Sequence, residues 1–310
     1  MISKWCSMFE KGRDYVEDET RAGRPPMSHT DANVKRVDNL IREDRRVKIQ
    51  DIAMQLDISY GTMSTIIHNE LKFHKICARW VPRLLNDDHK GQRFEAALTF
   101  LQRYEQEGQT FLEKIITVDE TWVHHHTPET KRSSMEWKHK DSPRTKKAKT
   151  IISARKVMLT VFFDHEGVVY SEFAPKGSTV NSKSYFRTLK NFQKAIKKRR
   201  RGKFTEGIIL LHDNATPHSA RVTGDLLEKF KWEIWRQPPY SPDLLPCDFH
   251  LFDLLKNALG GEHFSSDEEC KEFVTEWLKK IGGNFYKQGI ENLVSRYQKC
   301  LNILGDYIEK

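Results

Sequence analysis

Ile208-Ile209-Leu210-Leu211-His212-Asp213-Asn214-Ala215-Thr216-Pro217-His218 is the stretch on which the reading of this chain turns. Its first four residues form a short apolar run of the kind that makes a buried strand. The run ends in a carboxylate, Asp213, and a carboxylate at the end of a buried strand is costly unless a cation such as Mg²⁺ neutralises it through oxygen ligands. Working outward, the arrangement recurs on both sides. Upstream, Ile115-Ile116-Thr117-Val118 runs into Asp119 of Asp119-Glu120-Thr121-Trp122; downstream, a proline-rich loop ends at Asp248, which opens an amphipathic helix. Three convergent carboxylates holding two metal ions is the arrangement that in-line phosphoryl displacement on nucleic acid requires.

Around these points the chain alternates strand-like and helix-like runs. Strands are expected at 115–123, 156–163, 168–173 and 207–212, with helices over about 182–200 and 217–229. Strands followed by covering helices indicate an α/β layer architecture. Two acidic neighbours are set aside. Asp243 reads as a turn residue between prolines, and Glu120 points to the opposite strand face from Asp119. His124-His125-His126 does not suit one metal ion, because consecutive strand residues alternate faces. Lys197-Lys198-Arg199-Arg200-Arg201-Gly202-Lys203 reads equally as a nuclear localisation signal, a DNA contact or a solvated helix end. Asn214 is a candidate for orienting a metal-bound oxygen. No GxSxG or catalytic Cys–His signature is present.

The first third is different. Val34, Val37, Leu40 and Ile41 fall on one face of a helix capped by Thr30 or Asp31. A second pattern runs Ile49, Ile52, Ala53, Leu56 and Ile58; Ser59 then caps a third helix carrying Met63, Ile66 and Ile67. Asp57 occupies the tight turn, where Asp is one of the few side chains that tolerate positive φ. This is a helix-turn-helix. Its last helix presents Ser59, Tyr60, Thr62, Ser64 and Thr65 to a major groove. Upstream, Arg21-Ala22-Gly23-Arg24-Pro25-Pro26 has the form of a basic minor-groove hook, with Arg21 and Arg24 as its contacts. Trp80, Val81 and Pro82 begin an apolar linker that wants a partner surface, and Asp87–Gly108 carries helical periodicity.

The 310 residues leave room for two or three domains, and a formal net charge of +9 suits a polyanionic partner. Five scattered cysteines without a CxxC pair argue against a disulfide framework or a zinc ribbon. No apolar run of about 18 residues or signal-peptide core occurs, so no membrane partner is expected.

The words DETW (119–122), PETKRSSMEW (128–137), KVMLTVFFD (156–164), LLHDNA (210–215) and SPDLLPCDFHLF (241–252) appear in this order. Asp213 and Asp248 are 248 − 213 = 35 positions apart, with 34 residues between them. In these motifs and this spacing the chain resembles the mariner family of DNA transposases over nearly its whole length. The resemblance implies a multidomain protein: an all-α helix-turn-helix DNA-binding region followed by an α/β RNase H-like catalytic domain. It places a remnant of a first helix-turn-helix, truncated at its amino end, plus the basic linker at 1–27. A second helix-turn-helix follows at 28–72, a linker and dimerisation helix at 73–112, and the catalytic domain at 113–310. Within the last, the basic clamp loop at about 124–151 would reach a second subunit, with Lys146, Lys147 and Lys149 on phosphates. Asp119, Asp213 and Asp248 would hold two Mg²⁺ or Mn²⁺ ions per site. The expected activity is cutting at terminal inverted repeats and joining of 3′ ends to TA target DNA, by a nuclear homodimer. The alternative is a transposon-derived DNA-binding protein with little or no transposition; a helix-turn-helix regulator with an unrelated ligand domain does not account for the motifs after residue 113.

Overall fold

A computed structural model describes residues 2–14, 30–78, 80–131, 133–139, 141–143 and 145–308. Arg21 and Arg24 of the expected groove hook lie outside these residues. The chain divides into two units, Met1–Trp80 and Val81–Lys310.

In the first unit, α1 (Ile2–Glu10) sets Trp5 against Phe9, ring centroids 5.9 Å apart. The expected three-helix arrangement follows. The helix α2 (Asp31–Glu43) is capped by Thr30, whose hydroxyl accepts the Asn33 amide at 3.3 Å. The next helix, α3 (Ile49–Leu56), ends at Asp57, which adopts φ 52°, the left-handed conformation that the tight turn demands. Ser59 then caps α4 (Tyr60–Thr65) by accepting the Thr62 amide at 3.2 Å, and the helix runs on through a π-helical turn, Ile66–Glu70. Val37, Ile52, Ala53, Ile58, Met63, Ile66 and Ile67 are buried together between these helices. Small Ala53 at this centre allows close helix approach.

In the second unit, α5 (Asp87–Glu107) and α6 (Gln109–Lys114) lead into β1 (Ile115–His124), β2 (Lys156–Asp164) and β3 (Gly167–Phe173). Then come α7 (Ser182–Arg199), α8 (Lys203–Glu206), β4 (Ile209–His212), α9 (Thr216–Ser219), α10 (Arg221–Phe230) and β5 (Glu233–Arg236). The chain closes with α11 (Asp253–Ala258), α12 (Asp267–Lys280) and α13 (Gly283–Asn302). The sheet order is β3-β2-β1-β4-β5. β1 pairs antiparallel with β2 and β2 with β3, whereas β4 runs parallel to both β1 and β5. This is the mixed, helix-flanked sheet of an RNase H-like domain, as expected.

Strand alternation divides the core in two. Ile115 and Val123 of β1 pack with residues of α5, α11, α12 and α13 on one face. Ile116 and Val118 pack with α7 and α10 on the other. Two points differ from expectation. β5 was not anticipated, because only Trp235 of its four residues is buried and no alternation is legible. The helix expected over 217–229 is broken at Ala220, whose extended backbone (ψ 141°) separates α9 from α10. Within the expected linker and helix of 73–112, the contact boundary falls after Trp80, and α5 packs in the second unit, where Phe100 stacks on Tyr297 at 4.2 Å.

Candidate active site

Parallel pairing of β1 with β4 sets Ile115 opposite Ile209 and Thr117 opposite Leu211. The same register, carried two residues further, brings Asp119 level with Asp213. Both then lie on the sheet face that holds Ile115, Ile209 and Leu211. The third aspartate comes from a different direction. After β5 the chain turns through a 3₁₀ segment, Pro242–Leu244, and a π-helical segment, Cys247–Phe252. Buried Cys247 rests its Sγ 3.5 Å from Thr117 Oγ1 on β1. Asp248 follows it, and its carboxyl hydrogen-bonds that of Asp119. A cavity of about 420 Å³ beside them is lined by Asp213, Asp248, Asn214, Tyr240, Pro238 and Pro82.

The loop carrying Asp248 is pinned from α5. Arg93, fully buried, donates to both carboxylate oxygens of Asp243 at 2.8 and 2.7 Å, to Ser241 Oγ at 2.7 Å and to the Gly305 carbonyl at 2.7 Å. Asp243 is indeed no part of the aspartate cluster. It is the buried counter-ion of a residue 150 positions away, a partnership that its turn-like sequence context hides.

Electrostatics set the three aspartates apart. Burial, then the charges of Asp248, Glu120 and Asp213, push Asp119 well above the ordinary carboxylate range. Burial is also the main cause that raises Asp248 to about 6, against a pull from Lys256. Asp213 goes the other way. Burial would raise it, but the His218 hydrogen bond and charge and the Ala215 amide together hold it below its usual value. His218 Nδ1 lies 2.5 Å from Asp213 Oδ1, and its Nε2 lies 3.3 Å from Glu120 Oε2. Burial opposes the imidazolium, yet these two carboxylates raise His218 to about 10. Glu120 does face away from Asp119, as expected, but it reaches the cluster through His218. His218 had no role assigned from sequence; its position five residues after Asp213 was the available signal.

The donor set fits hard divalent cations: it is all oxygen, half-buried, and two of its carboxyls are raised by burial and by neighbouring carboxylates. Among the described residues no group of three or more His, Cys, Asp or Glu side chains is arranged around a single ion. What the fold supplies is Asp119 beside Asp248 and level with Asp213, with Asp213 and Asp248 lining one cavity.

Other singled-out residues fall elsewhere. His124 Nδ1 faces the Ser153 carbonyl, His125 Nε2 faces Asp267 and His126 Nδ1 faces the Glu262 carbonyl, each within 3.0 Å. The three histidines fasten the base of the basic loop. Lys146 and Lys149 are exposed, whereas Lys147 is paired with Glu129 at 2.7 Å. Asn214 donates to the Gln237 carbonyl at 2.6 Å, which holds two cavity walls together. In the basic run, Arg199 bonds the Val169 carbonyl, Arg200 pairs with Asp164, and buried Lys203 reaches the Glu113 carbonyl. Half of that run is therefore built into the domain. In the first unit Ser59, Tyr60 and Thr65 are exposed, and Thr62 and Ser64 are partly covered. Trp80 is almost wholly exposed, Val81 is half-buried, and Pro82 lines the aspartate cavity.

Residues 127–206 match the family model described as Transposase (partial DDE domain). The mariner Mos1 transposase of Drosophila mauritiana is 34% identical over 308 residues, covering 99% of this chain and 86% of that protein. The human histone-lysine N-methyltransferase SETMAR is 31% identical over 309 residues, which is 44% of its length. Among solved structures, the Mos1 mariner paired-end complex with Mn matches with a TM-score of 0.82 at 34% identity, covering 99% of this chain and 88% of that one.

Proposed function

Because the chain belongs to the mariner family of transposases, we propose that it binds the terminal inverted repeats of its element, cuts the DNA at their ends and joins the 3′ ends to TA target sites. The observation that carries this reading is the register of β1 against β4, which brings Asp119 level with Asp213 and beside Asp248. Asp119, Asp213 and Asp248 would hold Mg²⁺ or Mn²⁺, and the Mn-containing complex of the Mos1 relative supports that choice. When bound, such ions activate the attacking hydroxyl and stabilise the leaving 3′ oxygen. The chain's own residues prepare for this. Asp119, between the other two, would contribute to holding the ions. Asp213 is kept ionised by His218, and Asp248 is delivered by a loop locked through Arg93 and Asp243.

Ser59, Tyr60, Thr62, Ser64 and Thr65 would read the repeat in a major groove, and Arg21 and Arg24 would enter the adjoining minor groove. Lys146 and Lys149 suit phosphate contact, and Lys147 would have to leave Glu129 to join them. Trp80, Val81 and the loop over about 124–151 would pair two subunits, as a paired-end complex requires. Action on genomic DNA places the protein in a DNA-containing compartment, which for this family is the nucleus.

The test uses a duplex carrying the element's terminal repeat, with Mg²⁺ or Mn²⁺. The expected outcome is nicking at the repeat end, abolished in Asp213→Ala while repeat binding persists. Binding without any cutting by the unaltered protein would instead make it a DNA-binding derivative of a transposase.

A further inference from the structure

Glu120 and His218 form a buried connection that crosses the sheet and ends on Asp213. His218 is 1% exposed and sits in the four-residue helix α9, which begins with the structure's turn away from β4. Its imidazole has close neighbours on three sides. Nδ1 meets Asp213 Oδ1 at 2.5 Å, Nε2 meets Glu120 Oε2 at 3.3 Å, and the ring lies 4.2 Å from the Tyr185 ring. Tyr185, a residue of α7, is itself fully buried in the core, and its hydroxyl faces His212 Nδ1 at 3.2 Å. Glu120 belongs to β1 but lies on the face opposite to Asp119. It is the next residue to one aspartate and, through His218, the anchor of another.

The effect on geometry is specific. The protein N–H groups that reach Asp213 are the Ala215 amide at 3.0 Å and His218 Nδ1, and both end on Oδ1. The Glu120 amide likewise ends on Oδ1 of Asp119 at 2.7 Å. Each carboxylate is thereby oriented by one oxygen. An outer hydrogen bond of this kind fixes a ligand's rotation, and loss of such partners typically weakens metal binding by about 10–100-fold. Asp213 needs it most: its side chain is 45% exposed, just beyond the end of β4.

We propose that His218, backed by Glu120 from the far face of the sheet, is a positioning residue that holds Asp213 in the rotation needed to share a divalent ion with Asp119. This rests on the two-ion reading of the aspartate site. His218 touches Asp213 and stays clear of the reacting atoms, so its removal should act on ion affinity before chemistry.

The experiment measures Mn²⁺ binding to the full-length protein by electron paramagnetic resonance without DNA, alongside nicking of repeat DNA across a Mn²⁺ titration. In His218→Leu the Mn²⁺ dissociation constant should rise about 10–100-fold, with nicking partly recovered at high Mn²⁺. His218→Asn, whose amide can still donate to Asp213, should recover part of the affinity. Glu120→Gln, which keeps the shape but not the charge, should weaken Mn²⁺ by a smaller factor. Repeat binding and the melting profile report folding. A folded His218→Leu with unaltered Mn²⁺ affinity overturns the proposal. If that variant does not fold, Glu120→Gln and His218→Asn decide it, and unaltered affinity in both overturns it. Unaltered protein that binds Mn²⁺ but cuts no DNA would fail the proposed reaction alone, and the variants would still be read by affinity. Unaltered protein that binds no Mn²⁺ would remove the two-ion reading and this proposal with it.

Discussion

Asp119 and Asp248 carry an electrostatic cost in the folded chain. Asp248 titrates near 6 in the folded chain against an ordinary 3.8, and Asp119 shifts the same way. Between those values the folded chain keeps a proton that the unfolded chain has released, so stability falls as pH rises through about 4 to 6. His218 works in the opposite sense. Raised from 6.5 to about 10, its contribution is complete below about 6.5 and is lost as pH climbs toward 10. A divalent ion removes the carboxylate cost only where the carboxyls are ionised. Mn²⁺ should therefore raise the melting temperature at pH 7.5, and the rise should shrink toward pH 5. Thermal melts with and without Mn²⁺ check this; equal rises at both pH values would contradict it.

At the scale of elements, the turn between α3 and α4 makes a sharp demand. Asp57 holds φ 52°, where a β-branched side chain is strained. Asp57→Gly should leave the first unit as stable as before or more so. Asp57→Val should cost about 1–2 kcal/mol and weaken repeat binding in proportion, as urea unfolding of a 1–80 fragment or of the full chain would measure. This turn, its two caps and β1 to β4 were legible because each rests on local signals: a hydroxyl before an apolar period, or a short apolar run ending in a carboxylate. β5 was not legible, since a four-residue edge strand with one buried side chain has no period to read. The break at Ala220 was also hidden, because alanine is itself the strongest helix former and marks no boundary. The aspartates were visible from their sequence context. Their helper His218 was visible as a residue and not as a contact, because the contact exists only after α9 folds back over the strand end.

Across the whole second unit, the hydrogen bonds of Arg93 join distant parts of the chain. It binds Ser241 and Asp243 in the loop before Asp248, and it also binds the Gly305 and Asp306 carbonyls. Asp243 in turn accepts the Ile308 amide at 3.0 Å. No periodicity reports partners this far apart. Asp243→Leu alone strands a buried guanidinium and should cost about 3–5 kcal/mol, whereas Arg93→Met with Asp243→Leu should recover most of that loss. Chemical denaturation of the three variants measures the difference; a double variant as unstable as the single would refute it. The pin also carries a consequence for inheritance. A stop codon at position 305 deletes no aspartate of the cluster, yet it removes two acceptors from Arg93 and one donor from Asp243. Because those groups all belong to the backbone, missense changes in the last few codons would spare the pin, while a premature stop there would loosen the loop that carries Asp248.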